Sequence, residues 1–158
     1  MNIQTPLAVT PGALSLPQPY LLFLGDTTER GYAKTAFGLR DWAPEKCVGE
    51  YALPGATVSA GLEQLTPAEA RARGARSMLI GVANSGGVIA ASWLPALIQS
   101  LDAGLDIVSG MHMRLVDIPG LAERAQRLRR AGPLGRDRGA GFALPPRLCG
   151  GFAGSAPW

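Results

Sequence analysis

The sequence is poor in the residues that build disulfide frameworks and zinc sites. Its 158 residues include two cysteines, Cys47 and Cys149, and one histidine, His112. A secreted disulfide scaffold needs a dense and even set of cysteines, so this class of protein is excluded. A structural zinc site needs four clustered ligands. Because the two cysteines lack metal-ligand spacing and there is no second histidine, we expect no metal site.

Charged residues are also sparse, at 17% of the chain, and they nearly balance over most of its length. Residues 1–130 carry 12 Lys and Arg against 11 Asp and Glu, whereas residues 131–158 carry three against one. Proteins that bind nucleic acid concentrate positive charge on one face. The near-neutral body therefore argues against a nucleic-acid partner.

One stretch without charged residues, 77–101, would be long enough to cross a bilayer if it formed a single helix. Its middle reads Asn-Ser-Gly-Gly at 84–87 and Pro95 follows, which predicts a turn between two elements instead of one long helix. Residues 1–18 contain three prolines and no basic residue, so they are interpreted as an irregular leader and not as a secretion signal. We therefore expect a cytoplasmic protein with no membrane partner.

Short apolar runs alternate with helical patterns through the middle of the chain. The predicted strands cover residues 20–25, 46–51, 78–83 and 105–109. This alternation favours a Rossmann-like three-layer α/β domain with a parallel sheet of about four strands. The expected strand order is 2-1-3-4, and 3-2-1-4 is the rival order.

Two predicted helices begin with the pattern of a capping box. Asp26 and Glu29 stand three residues apart at the start of a helix that reaches about Arg40, and Thr66 and Glu69 repeat the spacing. A third helix is marked by an apolar face, and a fourth is predicted from Asp117 to about residue 130. The apolar face of the third helix consists of Trp93, Leu94, Leu97, Ile98 and Leu101.

The end of the chain differs in composition from the rest. Gly, Ala, Pro and Arg make up 19 of residues 131–158, and no hydrophobic period continues there. A flexible basic arm, a disordered terminus and an out-of-frame translation after a frameshift near residue 130 all fit this composition. The sequence thus divides into a leader (1–18), an α/β domain (19–130) and a Gly/Ala/Pro/Arg-rich tail (131–158).

Polar residues collect in the loops that leave the predicted strands. In parallel α/β sheets ligands bind at this carboxyl-terminal edge, so these loops form the predicted ligand site. Glycines there let a backbone approach a ligand, and free N–H groups at a helix start suit an anion, although an Asn-Ser-Gly-Gly run is also a common plain turn. The Gly-x-Gly-x-x-Gly and P-loop patterns are both absent. The candidate residues are Asp26, Asn84, Ser85, Gly86, Gly87, His112 and Arg114.

Several of these segments, taken in order, resemble a known family. The runs are PYLLFLGD (19–26), AKTAFGLRDW (33–42), CVGEYALPG (47–55), TPAEARARGA (66–75), IGVANSGGVI (80–89) and SLDAGLDIVSGMHMRLVDIP (100–119). Together they look like the N-terminal Rossmann-like domain of the D-glutamate N-acetyltransferase family, over about residues 19–130.

The resemblance implies a two-domain enzyme that moves an acetyl group from acetyl-CoA to the amino group of D-glutamate or a similar D-amino acid. The second domain of that family is P-loop-like and carries a glycine-lysine phosphate motif, which this sequence lacks. We therefore expect a truncated N-terminal domain that is not catalytic alone and holds no cofactor itself. Its implied partners are the small substrate and the missing P-loop-like domain, and the oligomeric state is open between monomer and homo-oligomer.

Roles for two of the candidate residues follow from their chemistry. Arg114 is expected to pair with a substrate carboxylate, with which Arg makes two parallel hydrogen bonds. His112 is the acid/base candidate, and the alternative is a hydrogen-bonded structural histidine. Two other functions stay open, a stand-alone module that binds a small ligand or nucleotide, and an inactive remnant with an exposed apolar docking face.

Overall fold

A computed structural model describes residues 16–131, with side chains described up to residue 128. Four strands and four helices alternate along it, as the sequence predicts. Their bounds are β1 Tyr20–Gly25, α1 Lys34–Trp42, β2 Cys47–Ala52, α2 Pro67–Ala72, β3 Ser77–Ile80, α3 Leu94–Asp102, β4 Asp106–Ser109 and α4 Leu121–Ala131. Most of the predicted leader and nearly all of the predicted tail lie outside the described residues.

The four strands form one parallel sheet in the order β2-β1-β3-β4. The predicted order 2-1-3-4 is thus confirmed and its rival is wrong. The chain moves one way across the sheet from β1 to β2 and the opposite way from β2 to β3 and β4. Because such crossovers are right-handed, α1 covers one face of the sheet while α2 and α3 cover the other.

The central strand β1 is buried along its whole length, since it has a neighbour on each side and a helical layer on each face. On the α3 face, the rings of Phe23 and Trp93 meet edge to face with centroids 5.5 Å apart. On the α1 face, Ala36 lies so close to Gly81 that a Cβ on this glycine would stand 2.6 Å from the Ala36 Cβ. These contacts hold the carboxyl ends of β1 and β3 against the starts of α1 and α3.

Three predicted boundaries differ from the structure by three residues or more. The first helix does not begin at Asp26, because a 3₁₀ turn at Arg30–Ala33 precedes α1 and no side chain caps either element. The third strand ends at Ile80 instead of residue 83, and α4 begins at Leu121 instead of Asp117. In contrast, the capping box at Thr66 is confirmed, with the Thr66 and Glu69 side chains each bonded to the other residue's backbone N–H.

Candidate functional site

The first candidate residue, Asp26, follows β1 and is held by two donors from the 3₁₀ turn Ala91–Trp93, which directly precedes α3. Its Oδ1 accepts a hydrogen bond of 2.7 Å from Nε1–H of Trp93, and its Oδ2 accepts one of 3.3 Å from the Ser92 hydroxyl. The Trp93 hydrogen bond lowers the pKa of Asp26, and the weaker Ser92 bond acts in the same direction. Asp26 is thus an exposed carboxylate that is kept ionised and oriented by neutral donors.

Trp93 occupies this position because β1 ends in a glycine. Gly25 has φ +57°, and a Cβ there would lie 2.6 Å from Cε2 of Trp93. Only glycine adopts this conformation readily and leaves room for the indole. The Trp93 side chain is 3% exposed and its ring packs on Phe23. We name Gly25, Asp26, Ser92 and Trp93 the Asp26 cluster.

The 84–87 run after β3 forms a turn that is closed by its own side chain. Oδ1 of Asn84 accepts the backbone N–H of Val88 at 3.0 Å, and Nδ2 donates to the Val88 carbonyl oxygen at 2.7 Å. Gly86 and Gly87 have φ of +87° and +61°, which favour glycine. The Ser85 hydroxyl lies 3.3 Å from the hydroxyl of Tyr32. Asn84 therefore shapes the loop, and its amide already has two partners.

The loop after β4 packs on this turn through His112. A Cβ built on Gly87 would lie 2.7 Å from Cδ2 of His112 and 3.0 Å from its backbone nitrogen. The backbone N–H of Met113 donates to the Gly87 carbonyl oxygen at 3.1 Å. His112 and Arg114 are both exposed, and Arg114 stands just before a 3₁₀ turn at Leu115–Asp117. We name the 84–87 turn with His112 the His112 cluster.

All seven predicted site residues thus lie at the carboxyl-terminal edge of the sheet. Six of them belong to the Asp26 cluster or the His112 cluster, and Arg114 belongs to neither. The structure brings His112 onto Gly87, while Asp26 bonds to Ser92 and Trp93. Arg114 gives the loop after β4 a positive charge, and Asp26 gives the end of β1 a negative charge. Sequence reasoning placed Trp93 on a helix face and did not single out Ser92, because nothing local shows that their donors reach a residue 66 or 67 positions away.

A groove of about 530 Å³ adjoins the Asp26 cluster between α3 and the end of β2. Ser92 belongs to both, since it is one of the residues that line the groove and its hydroxyl donates to Asp26. The walls are mainly apolar, and Tyr51 and Gln99 join across them by a hydrogen bond of 3.1 Å. Asp102 also lines the groove and is paired with Arg124 at 2.7 Å. Its apolar lining side chains are Leu53, Leu94, Pro95, Ala96 and Ile98.

Two further observations concern metal ions and membranes. In residues 16–131, no three His, Cys, Asp or Glu side chains are grouped so that they could hold a metal ion. Among the helices of that same part, none is long and apolar enough to cross a membrane. The large hydrophobic residues with exposed side chains there are Trp42, at 89%, and Val88, at 45%.

Two curated proteins are similar in sequence to this chain. Two D-glutamate N-acetyltransferases match, at 48% identity over 108 residues in Tritonibacter scottomollicae and 42% over 114 residues in a Pseudoalteromonas species. These alignments cover 68% and 72% of this chain but 32% and 34% of the relatives. The chain thus spans about a third of the length of the curated relatives it matches.

A solved structure supports the fold. The crystal structure of a DUF1611 family protein from Anabaena variabilis superposes with a TM-score of 0.53 at 23% identity, over 71% of this chain and 34% of that one. The family model described as a domain of unknown function, DUF1611_N Rossmann-like domain, matches residues 45–131. The resemblance found in the sequence is confirmed, and the chain belongs to the DUF1611_N family of Rossmann-like domains.

Proposed function

We propose that this chain is the N-terminal part of an acetyltransferase that acts on D-glutamate or a similar D-amino acid. The observation that carries the proposal is the 48% and 42% identity to two relatives named D-glutamate N-acetyltransferase. In this proposal the domain supplies a ligand-binding edge, and the chain does not catalyse alone. The remaining two thirds of such relatives, in which we place the P-loop-like domain, complete the active site.

The reaction is transfer of an acetyl group between sulfur and nitrogen. The neutral amine of the amino acid attacks the thioester carbonyl of acetyl-CoA, a C–N bond forms, the C–S bond breaks, and the thiol takes up a proton. The amine must lose a proton for this, so a group that accepts one speeds the step. His112 is our candidate for that group, since it is exposed at the strand-end edge.

The charges at the edge of the sheet indicate where the substrates would bind. The carboxylates of D-glutamate and the phosphates of acetyl-CoA are anionic, and Arg114 is an exposed cation in the β4 loop. Among the described residues that line the groove beside α3, none is Lys or Arg. Both anionic substrates therefore suit the His112 side of the edge better than the groove.

The second candidate function is a stand-alone module that binds a small ligand. The groove beside the Asp26 cluster favours it, because a concave apolar surface with a few polar groups is typical of ligand sites. Under this alternative the 158-residue chain binds its ligand with no further domain.

A chimera tests the acetyltransferase proposal. The matched third of the Tritonibacter scottomollicae relative is replaced by the corresponding residues of this chain, and D-glutamate-dependent thiol release from acetyl-CoA is followed. We expect the chimera to release thiol and the 158-residue chain to release none. A folded chimera without activity would contradict the assignment, and activity of the chain alone would contradict the need for further segments.

A further inference from the structure

The Asp26 carboxylate carries a charge that its surroundings orient but do not neutralise. Its described hydrogen-bond donors, Trp93, Ser92 and the Asp26 backbone, are all neutral. Among the described side chains, residues 16–128, the ion pairs join Arg40 to Asp41, Arg73 to Glu63 and Arg124 to Asp102, and none of them includes Asp26. A buried indole thus holds an exposed carboxylate that stays open to a cation.

The groove next to this carboxylate suits an apolar chain. In α3, Leu97 and Leu101 are buried in the core, as is Trp93 just before the helix, whereas Leu94 and Ile98 are half-buried and line the groove. Helix α3 therefore presents more apolar surface than the core covers. Tyr51 and Leu53, at the end of β2, are half-buried residues on the opposite wall.

The charged groups in and beside the groove favour a cationic ligand over an anionic one. Asp102 is the charged side chain in the lining, and its partner Arg124 already balances it. An anion entering the groove finds no cation among the described lining residues. An ammonium group at the Ser92 end finds the oriented carboxylate of Asp26, because the Ser92 hydroxyl lies 3.3 Å from Oδ2 of Asp26.

We propose that the Asp26 cluster and the adjoining groove form a binding site for a primary ammonium group on a short apolar chain. The three N–H donors of the ammonium reach the free acceptor positions of the carboxylate oxygens. The chain lies along Leu53, Leu94 and Pro95. The proposal concerns this chain alone and does not depend on acetyl transfer, so it can fail while the acetyltransferase assignment holds, and the reverse.

A simpler role for Asp26 exists and has to be separated from this one. Its carboxylate sits at the start of α3, where a negative charge stabilises a helix, and it satisfies the buried N–H of Trp93. If that were its whole role, replacement of Asp26 would change the stability of the protein without any amine being bound.

The test is a titration of the 158-residue chain at constant ionic strength, followed by amide chemical shifts. The probes are n-butylammonium, methylammonium and butyrate. We expect saturable shifts with n-butylammonium at the amides around Asp26, Ser92 and Leu53, and none with butyrate. Each buried methylene adds about fourfold in affinity, so n-butylammonium should bind at least about tenfold more tightly than methylammonium.

Matched substitutions then locate the site. Asp26→Asn should weaken n-butylammonium binding by about tenfold or more, since it removes a charge-assisted hydrogen bond. Asp117→Asn removes the same charge from an exposed 3₁₀ turn and should leave binding unchanged. Equal binding by wild type and Asp26→Asn, equal binding of the two amines, or no saturable shift would each overturn the proposal.

Discussion

His112 and Gly87 touch across the loops that leave β4 and β3, so closely that a Cβ on Gly87 would lie 2.7 Å from Cδ2 of the imidazole. The same two loops are joined by the hydrogen bond from Met113 N–H to the Gly87 carbonyl oxygen. The β3 turn is itself closed by Asn84. The position of His112 therefore depends on a glycine 25 residues earlier in the chain.

Substitution of the two adjacent glycines separates this contact from backbone strain. Gly87→Ala combines a positive φ with the clash against His112, and we expect it to cost about 2–4 kcal/mol of unfolding free energy. Gly86→Ala has the positive φ but its nearest neighbour is Val88 Cγ2 at 3.7 Å, so about 1–2 kcal/mol is expected. Urea unfolding measures both. Equal losses would show that His112 does not pack on Gly87.

A buried carboxylate organises the segment that follows β2. Oε2 of Glu50 accepts the backbone N–H groups of Ala60 at 2.7 Å and Leu62 at 3.3 Å, and Glu50 is 3% exposed. Glu50→Ala should cost about 1–3 kcal/mol for each buried donor left unpaired. Hydrogen exchange should speed up at Ala60 and Leu62.

The exposed Glu45 provides the control for this experiment. Glu45→Ala should change the unfolding free energy by less than about 0.5 kcal/mol, as is usual for surface substitutions. If Glu50→Ala leaves the exchange of the Ala60 amide unchanged, the carboxylate does not hold this segment.

The Asp26 cluster makes stability depend on pH at acidic values. The hydrogen bond from Trp93 holds the pKa of Asp26 below its usual value of 3.8, so this interaction stabilises the fold fully above that value. The contribution falls as the pH drops through the lowered pKa of the folded state. Trp93→Phe removes the donor, and the pKa of Asp26 should rise, as measured by a carboxyl NMR titration.

Asp26→Asn is the control for the pH dependence. It should remove the contribution of Asp26 to the acid-sensitive stability, while Glu63 and Glu69, whose pKa values are also lowered, keep theirs. The packing loss of Trp93→Phe is the same at every pH. Ser92→Ala should raise the Asp26 pKa by less than Trp93→Phe, since its bond is longer, 3.3 Å against 2.7 Å. An unchanged Asp26 pKa in Trp93→Phe would contradict the described hydrogen bond.

The two capping-box patterns show how far the sequence could predict this structure. Thr66 and Glu69 form the box that their spacing predicts, because Pro67 starts a helix directly after Thr66 and every partner is within one turn. Asp26 and Glu29 have the same spacing, yet Asp26 bonds to Ser92 and Trp93 instead. Local patterns therefore predict local partners, and a competing partner from a distant element is not visible in them.

The parallel sheet was predictable for a related reason. Each crossover is long enough to carry a helix, and apolar runs mark the strands, so the sequence predicted a parallel sheet with two candidate orders, of which the structure shows β2-β1-β3-β4. The groove was not predictable, because it depends on which residues of α3 the core covers. Leu94 and Leu97 look alike in the sequence, but Leu97 is fully buried and Leu94 lines the groove.

The most direct measurement is the kinetics of D-glutamate acetylation by the chimera with His112→Ala and Arg114→Ala combined. We predict that kcat/KM for D-glutamate falls at least about tenfold, because a bidentate carboxylate contact and a proton acceptor are lost. Arg76→Ala removes an exposed cation just before β3, at the opposite edge of the sheet, and should leave kcat/KM within about twofold of the unsubstituted chimera, the range of a surface substitution. Unchanged kinetics in a folded double variant would contradict a ligand-binding role for this edge.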